Sequence, residues 1–515
     1  MKSSQLVLSR LIETVLGACT SGLLRGADGK VRFIDPVDKV EISAHYGATH
    51  MAASLLLLGK LRNDNALECK GRDLLKSILD RWAQEHTLPD YHFDFNNFAF
   101  VICYDCLDSG DDLRELIKKV LLESPDSAHD TVNWLPMRLY VNRKRFELTG
   151  DRKYSVKIEY CRNLIAEATN GDGGIEDRLP KGVSYNLQYN ISSLATICFD
   201  GADYPDYDIA EGIRFLLGCI APDGDINYQG RGCNQIFAWG PWIYILASNG
   251  LSEQLETALE YIDTRVMAML DNHNMFLNNW PGEERYLWWD YHYASVYTAH
   301  LLMWLSLSLR DFGKHRIKFT PDGNDRADSA TGIDVFKSDT YFVTRFRGRN
   351  EYLAEYGPSI NLIWTRKDGI VVKGSFGPWR GSFGNRHSFE DVALMNYCGP
   401  VGVDRKVPNG FLSRIGHRLR PLSKSKIELK KFPVFCSVDV SADATGLKLT
   451  WETEKPLRGY FNFPTPCSPE NIGLIADGVP QRLTPVAKIK NQYGWIDVLQ
   501  SHHLTARVWE LIIPL

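Results

Sequence analysis

Helical periodicity is the sequence feature that most constrains this chain. Apolar residues recur every three or four positions from the amino terminus to about residue 315, where the pattern stops. The pattern predicts six pairs of helices, at 3–24 with 41–62, 64–85 with 95–109, 111–123 with 130–149, 151–169 with 186–200, 206–220 with 234–249, and 252–271 with 289–311. We therefore expect the first three-fifths of the chain to be built from helical hairpins.

The two helices of each pair differ in polarity. The second helix is the more apolar, as in S-L-L-L-L at 54–58, whereas the first carries charge on one side, as in R-D-L-L-K-S-I-L-D-R-W at 72–82. A helix that is apolar around most of its circumference must be buried, and an amphipathic one can cover it. The starts of the apolar helices lie about 40–55 residues apart, a spacing typical of helical-hairpin repeats. These features predict an (α/α)6 toroid over residues 1–314, with six buried inner helices.

Beyond the helical region, short alternating runs of β-branched and aromatic residues take over. Examples are T-Y-F-V-T-R-F at 340–346 and L-K-L-T-W-E-T at 447–453, and turn residues separate such runs at short intervals. This pattern predicts an antiparallel β-sandwich over residues 326–515, joined to the toroid by a linker at 315–325. The expected fold class is thus α+β multidomain, which suits a chain too long for one ordinary core.

Composition narrows the functional class. A formal net charge of -4 gives no global reason to expect nucleic acid as a partner. No apolar run is long enough to span a membrane, and the amino terminus has the pattern of an amphipathic helix instead of a secretory signal. The eleven cysteines lack paired spacing and are interpreted as reduced, mostly buried thiols. We expect a cytoplasmic protein without a cofactor or metal, since His45 and His50 are five residues apart and not at i, i+4.

Loop lengths indicate where the site lies. Connections after an inner helix are short, whereas those before it are long and rich in Gly, Asp, Pro and aromatic residues. Functional groups concentrate on loops held by a rigid scaffold, so we expect the site on the long-loop side. The first turns of the inner helices are correspondingly rich in polar and aromatic residues. They lie at 44–50, 92–98, 133–143, 184–190, 230–235 and 288–293. Convergence of these turns predicts one cleft, where exposed tryptophan faces could stack on sugar rings.

Two loops contain particular concentrations of candidate groups. In the stretch 221–244, Tyr228, Arg231 and Asn234 lie where a turn-rich loop enters an apolar segment. An arginine and a phenol beside a helix start could bind an anion and move a proton. In the second domain, the loop 374–390 carries Arg386 and His387 and is too long for a simple hairpin.

A toroid followed by an antiparallel sandwich resembles the polysaccharide lyases, particularly the heparinase II/III-like group and more distantly the chondroitin and hyaluronan lyases. The segments D-G-G-I-E-D-R (172–178), S-Y-N-L-Q-Y-N (184–190) and P-D-G-D-I-N-Y-Q-G-R-G (222–232) match the order of functional segments in such enzymes. There, an Asn or His neutralises the substrate carboxylate and a Tyr acts at the next inner helix. The family's Asn-His pairing is absent, and Gln188, Tyr189 and Asn190 stand in its place.

The resemblance implies a lyase that cleaves an acidic, uronate-containing oligo- or polysaccharide by β-elimination. It implies Tyr228 as base or acid with Arg231 beside it, and His387 closing the cleft. The implied neutralising group is Asn190 or Asn186, together with Gln188. The expected substrate-binding residues are His45, Asn97, Trp134, Asn186, Gln188, Tyr189, Asn234, Trp239, Trp289, His292 and Arg386.

Other functional classes remain open at this point. Many toroids are glycoside hydrolases that use two carboxylates, for which Asp94, Asp223, Asp225 and Asp290 are candidates. A uronate C5-epimerase would share the first step of a lyase, and a non-catalytic glycan-binding protein would need no reactive group. The ultraviolet absorbance of an unsaturated uronate product separates a lyase from the other three classes.

Overall fold

The computed structural model describes most of the chain, in two compact units. The described residues are 2–36, 38–85, 92–179, 182–184, 186–201, 204, 207–230, 236–266, 293–314, 332–347, 349–350, 355–356, 359–373, 394–395, 397–405, 429–434, 436–443, 446–467, 471–491 and 494–515. Described residues up to 314 belong to the first unit, and those from 332 onward belong to the second. The predicted linker at 315–325 lies outside the described residues.

Outer and inner helices alternate along the first unit. They are α1 (Lys2–Thr20), α2 (Gly47–Arg62), α3 (Asn65–Glu85), α4 (Phe93–Cys106), α5 (Asp112–Glu123), α6 (Leu135–Thr149), α7 (Arg152–Ala168), α8 (Leu187–Asp200), α9 (Ile209–Gly218), α10 (Trp239–Asn249), α11 (Ser252–Tyr261) and α12 (Ala294–Arg310). A 3-10 turn at Ile236–Ala238 precedes α10, and a π-helical turn at Ile262–Val266 follows α11. Two short hairpins lie in the connections between helices. They pair β1 (Leu23–Arg25) with β2 (Val31–Phe33), and β3 (Asp177–Leu179) with β4 (Gly182–Ser184).

The even-numbered helices form a closed ring. Each packs against the next in the order α2, α4, α6, α8, α10 and α12, and α12 packs back against α2. Every residue of the inner helix α10 is buried, whereas the outer helix α5 buries only Leu113, Ile117, Val120 and Leu121. The apolar helices therefore form the inner layer and the amphipathic helices the outer layer, as predicted. The ring confirms the (α/α)6 toroid.

Turn chemistry explains why one end of the ring has short loops. Inner helices α2, α6, α8 and α10 end at residues in the left-handed conformation, namely Asn63, Gly150, Gly201 and Gly250. Such a residue closes the last helical turn and reverses the chain at once. After α6, for example, Asp151 follows Gly150 directly and caps α7 by accepting from Lys153 N. The amino-terminal ends of the inner helices therefore share the opposite end, where the long loops lie.

The second unit consists of antiparallel sheets. Its strands are β5 (Ile333–Lys337), β6 (Tyr341–Phe346), β7 (Arg349–Asn350), β8 (Glu355–Tyr356), β9 (Ser359–Thr365), β10 (Gly369–Lys373), β11 (Gly399–Arg405), β12 (Leu429–Pro433), β13 (Ser437–Asp443), β14 (Gly446–Thr465), β15 (Gly473–Ala476), β16 (Val479–Gln481), β17 (Thr484–Asn491), β18 (Gly494–Gln500) and β19 (Leu504–Ile513). One sheet has the order β10-β9-β6-β5, and a larger one is organised around β14, which pairs with β11, β13, β18 and β19.

The two sheets share a single apolar core. Ile363 and Val372 of the smaller sheet belong to the same buried cluster as Trp451, Phe461 and Trp509 of the larger one. Two antiparallel sheets with a common core are the arrangement that the predicted sandwich requires.

Candidate functional site

The amino-terminal ends of the inner helices bring four half-buried rings together. The ring of His45 stacks on that of His92, with centroids 4.1 Å apart, and lies 4.7 Å from the ring of Tyr293. The ring of Trp134 lies 5.5 Å from that of His92. These residues immediately precede or cap α2, α4, α12 and α6, respectively. We call His45, His92, Trp134 and Tyr293 the mouth cluster, and its members are partly solvent-exposed.

One hydrogen bond determines the proton position on His92. Its Nδ1 lies 3.2 Å from the carbonyl oxygen of Ala44. Because a carbonyl oxygen can only accept, Nδ1 is the donor, and in the neutral ring Nε2 carries the lone pair. His92 is thus oriented as a group that can accept a proton through Nε2.

Beneath the mouth cluster, a second layer of rings closes the axis. Tyr46 stacks on Phe95 at 4.3 Å, and Phe237 stacks on His300 at 4.2 Å. His50 donates from Nε2 to the carbonyl oxygen of Phe95 at 3.3 Å, and its Nδ1 lies 3.2 Å from Nδ1 of His300. Burial lowers the pKa of His50 to about 3 and holds that of His300 well below its usual value. Both histidines are therefore neutral and form part of the floor.

A third layer fills the axis still deeper. Phe98 packs against Tyr140, Phe199 and Trp304, with ring centroids between 5.3 and 5.8 Å apart. Tyr244 packs on Trp304 from α10 at 5.2 Å. Aromatic side chains therefore fill the described axis below the mouth cluster.

The first turn of α8 carries a group of buried amides. Asn186 caps the helix by accepting from Gln188 N at 3.1 Å. Leu187 N donates to the backbone oxygen of Gln229 at 3.3 Å, which places Gln229 against this turn. Asn186, Gln188 and Gln229 are fully buried. Within the described part of the chain, both amide atoms of Gln188, both of Gln229 and the Nδ2 of Asn186 have no hydrogen-bond partner.

Unpartnered buried amides are unusual in folded proteins, because each costs the free energy of its lost hydration. We call Asn186, Gln188 and Gln229 the amide cluster. Amide N–H groups are hydrogen-bond donors that do not ionise at neutral pH, so a carboxylate that reached these buried amides would be stabilised without being protonated. The sequence indicated Asn186 and Gln188 but not Gln229, which lies in the motif 222–232 beside the more conspicuous Tyr228.

Asn190 has a different environment from the one predicted. Its Nδ2 donates to the backbone oxygens of Ile175 and Asn186, both at 3.0 Å, and its Oδ1 accepts from Ile175 N at 2.6 Å. Asn190 thus fastens the loop after α7 to α8. Because both of its amide atoms are engaged with the backbone, the geometry argues against the neutralising role expected for it.

Tyr228 also differs from expectation. Its side chain is fully buried, and its hydroxyl donates to the backbone oxygen of Cys219 at 2.7 Å. Burial raises the pKa of Tyr228 well above its usual value. A base requires the opposite shift and an accessible oxygen. The burial and the hydrogen bond of Tyr228 therefore argue against the catalytic role expected for it.

The carboxylates expected for a hydrolase are engaged elsewhere. Asp94 is buried and accepts from Nη2 and Nε of Arg138 at 3.0 and 3.2 Å. Burial raises the pKa of Asp94, and the Arg138 guanidinium opposes this shift. Asp225 is fully buried and accepts from Asn227 N at 2.8 Å. Asp223 is half-buried and accepts from Asp225 N at 3.2 Å, and Asp290 lies outside the described residues.

The remaining predicted residues divide into three groups. His45 and Trp134 lie in the mouth cluster as expected. Asn97 is buried and bonded to Pro125 O and Ser124 Oγ, while Trp239 is buried against Tyr261, so neither presents a binding surface. Tyr189 is buried, with 7% of its surface exposed. The predicted residues Arg231, Asn234, Trp289, His292, Arg386 and His387 lie outside the described residues.

His92 and Tyr293 were not among the site residues predicted from the sequence. Both lie at the ends of the polar segments 92–98 and 288–293, one residue before their inner helices begin. Their position as the residue preceding an inner helix is the signal that could have identified them, since His45 lies in the equivalent turn before α2.

Comparisons with known proteins give low structural similarities. Matching solved structures include a polysaccharide lyase (13% identity, TM-score 0.41, covering 60% of this chain and 98% of that one). A family 88 glycosyl hydrolase from Bacteroides vulgatus matches at 13% identity and a TM-score of 0.41, covering 59% and 99%. An α-1,6-mannanase of family GH76 from Salegentibacter sp. HEL1_6 matches at 11% identity and a TM-score of 0.43, covering 59% and 99%. Similarities at this level do not assign an activity.

No protein-family model matches the chain, and no curated protein matches its sequence. Among the described helices, none is long and apolar enough to cross a membrane. The described residues also contain no group of three or more His, Cys, Asp or Glu side chains that could hold a metal ion.

Proposed function

We propose that the protein is an enzyme that cleaves a uronate-containing glycan by β-elimination at the mouth cluster. The observation that carries this proposal is the pair of stacked, half-buried histidines, His45 and His92, beside Trp134. A histidine oriented by a backbone carbonyl is a suitable general base, and an indole face beside it can hold a sugar ring.

The reaction requires a base, a group that neutralises the carboxylate, and an acid. In the proposed step, His92 Nε2 takes the proton from C5 of the uronate, and the C5–H electrons form the C4–C5 double bond. The C4–O bond breaks, and the leaving oxygen takes its electrons and a proton, which the Tyr293 hydroxyl supplies. The amides of Gln188 and Gln229 stabilise the charge that develops on the carboxylate.

Six of the predicted catalytic and binding residues lie outside the described part of the chain. The role expected of Arg231, beside the general base or acid, stays a prediction. The roles expected of Arg386 and His387 stay predictions.

The hydrolase alternative receives less support from the described residues. A glycosidase needs two carboxylates that flank the scissile bond with access to substrate. Asp94 already accepts hydrogen bonds from the Arg138 guanidinium, and Asp225 accepts one from Asn227 N.

The proposal is tested by incubating the protein with alginate, heparan sulfate, chondroitin and hyaluronan. A rise in ultraviolet absorbance from an unsaturated uronate, together with new reducing ends, is expected on one of them. New reducing ends without that absorbance would show a hydrolase, and solvent-deuterium incorporation at C5 without cleavage would show an epimerase.

A further inference from the structure

A polar cavity lies beside the β1–β2 hairpin of the first unit. Its volume is about 460 Å³, and its lining comprises Lys30, Val31, Arg32, Val40, Glu41, Ser43, Ser77 and Arg81. That volume is within the usual range for small-ligand sites, roughly 300–1,000 Å³. The hairpin is held against α3, since Val31 N donates to Ser77 Oγ at 3.0 Å.

The charges around the cavity leave one cation without a counter-charge. Arg81 pairs with Glu41, and Arg32 pairs with Asp28, which does not line the cavity. The Lys30 ammonium has no partner within the described part of the chain. The cavity therefore has a net positive character, which favours an anionic ligand.

The same lining also contains acceptors. The Oε1 atom of Glu41 is buried and, among the described residues, has no hydrogen-bond partner. Ser43 and Ser77 add hydroxyl groups. A ligand that fits this lining has hydroxyl groups that donate to Glu41 and an acidic group that accepts from Lys30 and Arg32. An acidic sugar has both kinds of group, whereas inorganic phosphate at neutral pH has fewer donors.

The cavity lies at the same end of the toroid as the mouth cluster. Ser43 precedes His45 by two residues, and Arg81 lies near the carboxyl-terminal end of α3, which leads toward the start of α4. The connecting segment is fastened to α12, because Asp35 Oδ2 accepts from both N and Oγ of Ser295 at 2.8 Å. A glycan chain that extends from the mouth along this side would pass the cavity.

We infer that this cavity is a binding site for one acidic sugar unit, a uronate or sulfated residue, outside the reaction centre. The inference rests on the proposed function only for the nature of the polymer to which that sugar belongs. The uncompensated Lys30 ammonium and the buried, unpartnered Glu41 oxygen are the two features that select the ligand.

Binding of methyl glucuronide to the full-length protein tests the site. This ligand lacks a 4-linked leaving sugar and is not consumed, so binding can be measured whether or not the protein is a lyase. By ligand-observed NMR, we expect methyl glucuronide to bind at least about tenfold more tightly than methyl glucoside, because a charge-assisted hydrogen bond contributes that much. Inorganic phosphate is expected to compete weakly.

Variants then assign the binding to this cavity. Lys30→Gln with Arg32→Gln should weaken methyl glucuronide binding about tenfold or more, and Lys30→Gln alone should weaken it without disturbing the Asp28–Arg32 pair. Arg25→Gln, on the same hairpin but outside the cavity, is the matched control and should bind normally.

Unchanged binding in the double variant, or phosphate binding as tightly as the sugar, would overturn the inference. Loss of binding in a protein without lyase activity would support the cavity and reject the proposed function.

Discussion

His50 of α2 and His300 of α12 contact each other between two adjacent inner helices, with their Nδ1 atoms 3.2 Å apart and both side chains fully buried. His50 donates its Nε2 proton to Phe95 O, so its Nδ1 must accept the proton of His300 Nδ1. This arrangement requires both rings to be neutral. A proton added to either ring would put a charge in an aromatic interior.

The neutral pair predicts acid sensitivity. The folded-state pKa of His50, about 3, is lower than the 6.5 of an unperturbed histidine, so the unfolded chain binds the proton more readily. The contribution of the neutral His50 ring to the free energy of unfolding is fully present above about pH 6.5. It is lost as the pH falls toward the folded-state pKa. For His50 alone we expect a loss of about 2 kcal/mol between pH 7 and pH 5.

Denaturant unfolding at the two pH values measures this loss. The double variant His50→Gln, His300→Gln cannot take up the proton and should show a smaller difference between pH 7 and pH 5, whatever its absolute stability. An equal pH dependence in the variant and the wild type would mean that other groups cause the acid sensitivity.

Substitution of His92 by asparagine tests the proposed base. The amide nitrogen that His92→Asn introduces can still donate to Ala44 O, but no lone pair remains in place of Nε2. We expect turnover on the cleaved glycan to fall at least about a hundredfold, the lower range for general acid–base catalysis, with little change in the thermal midpoint. His502→Ala, at an exposed histidine of the second unit, is the control. Retention of wild-type turnover in His92→Asn would remove His92 from the mechanism.

Tyr228→Phe is predicted to affect stability and not activity. The substitution removes the donor to Cys219 O and leaves a buried carbonyl with one partner fewer, which costs about 1–3 kcal/mol. Turnover should stay close to that of the wild type, since the hydroxyl points into the protein. A large loss of turnover with unchanged stability would restore Tyr228 as the proton carrier that the sequence suggested.

Helix polarity was predictable because it follows from one-dimensional periodicity. The alternation of amphipathic and apolar helices required two layers. The predicted inner-helix starts at 95 and 186 lie within two residues of the observed Phe93 and Leu187, whereas those at 41, 130, 234 and 289 come five or six residues before the observed starts. The strands of the second unit were likewise visible as alternating runs.

The direction of individual polar side chains was not predictable in the same way. Asn190 and Tyr228 lie in segments as polar as those of His45 and Trp134, but each bonds to a distant backbone group, that of Ile175 or Cys219. These bonds form because the loops at 169–176 and 219–229 fold back over α8 and α9, and periodicity carries no information on such tertiary contacts. Only the hydrogen-bond partners of a buried amide in the folded structure distinguish a structural amide from one that can bind a ligand.

The amide cluster makes this distinction measurable. Gln188 has no hydrogen-bond partner for its side chain among the described residues, so Gln188→Leu removes buried polar atoms that the folded protein leaves unsatisfied. Replacing such a group by an apolar one of similar shape is nearly neutral or stabilising. Asn190→Leu, a matched substitution two residues away, breaks three bonds to the backbone and should destabilise by about 2–4 kcal/mol.

We therefore expect Gln188→Leu to retain its unfolding midpoint while losing about a hundredfold or more in turnover, because removal of one donor to a developing oxyanion has that effect. Denaturant unfolding and product absorbance, measured on the same preparations, decide the question. A destabilised Gln188→Leu with normal turnover per folded molecule would show that the amide cluster is structural and that the carboxylate is bound elsewhere.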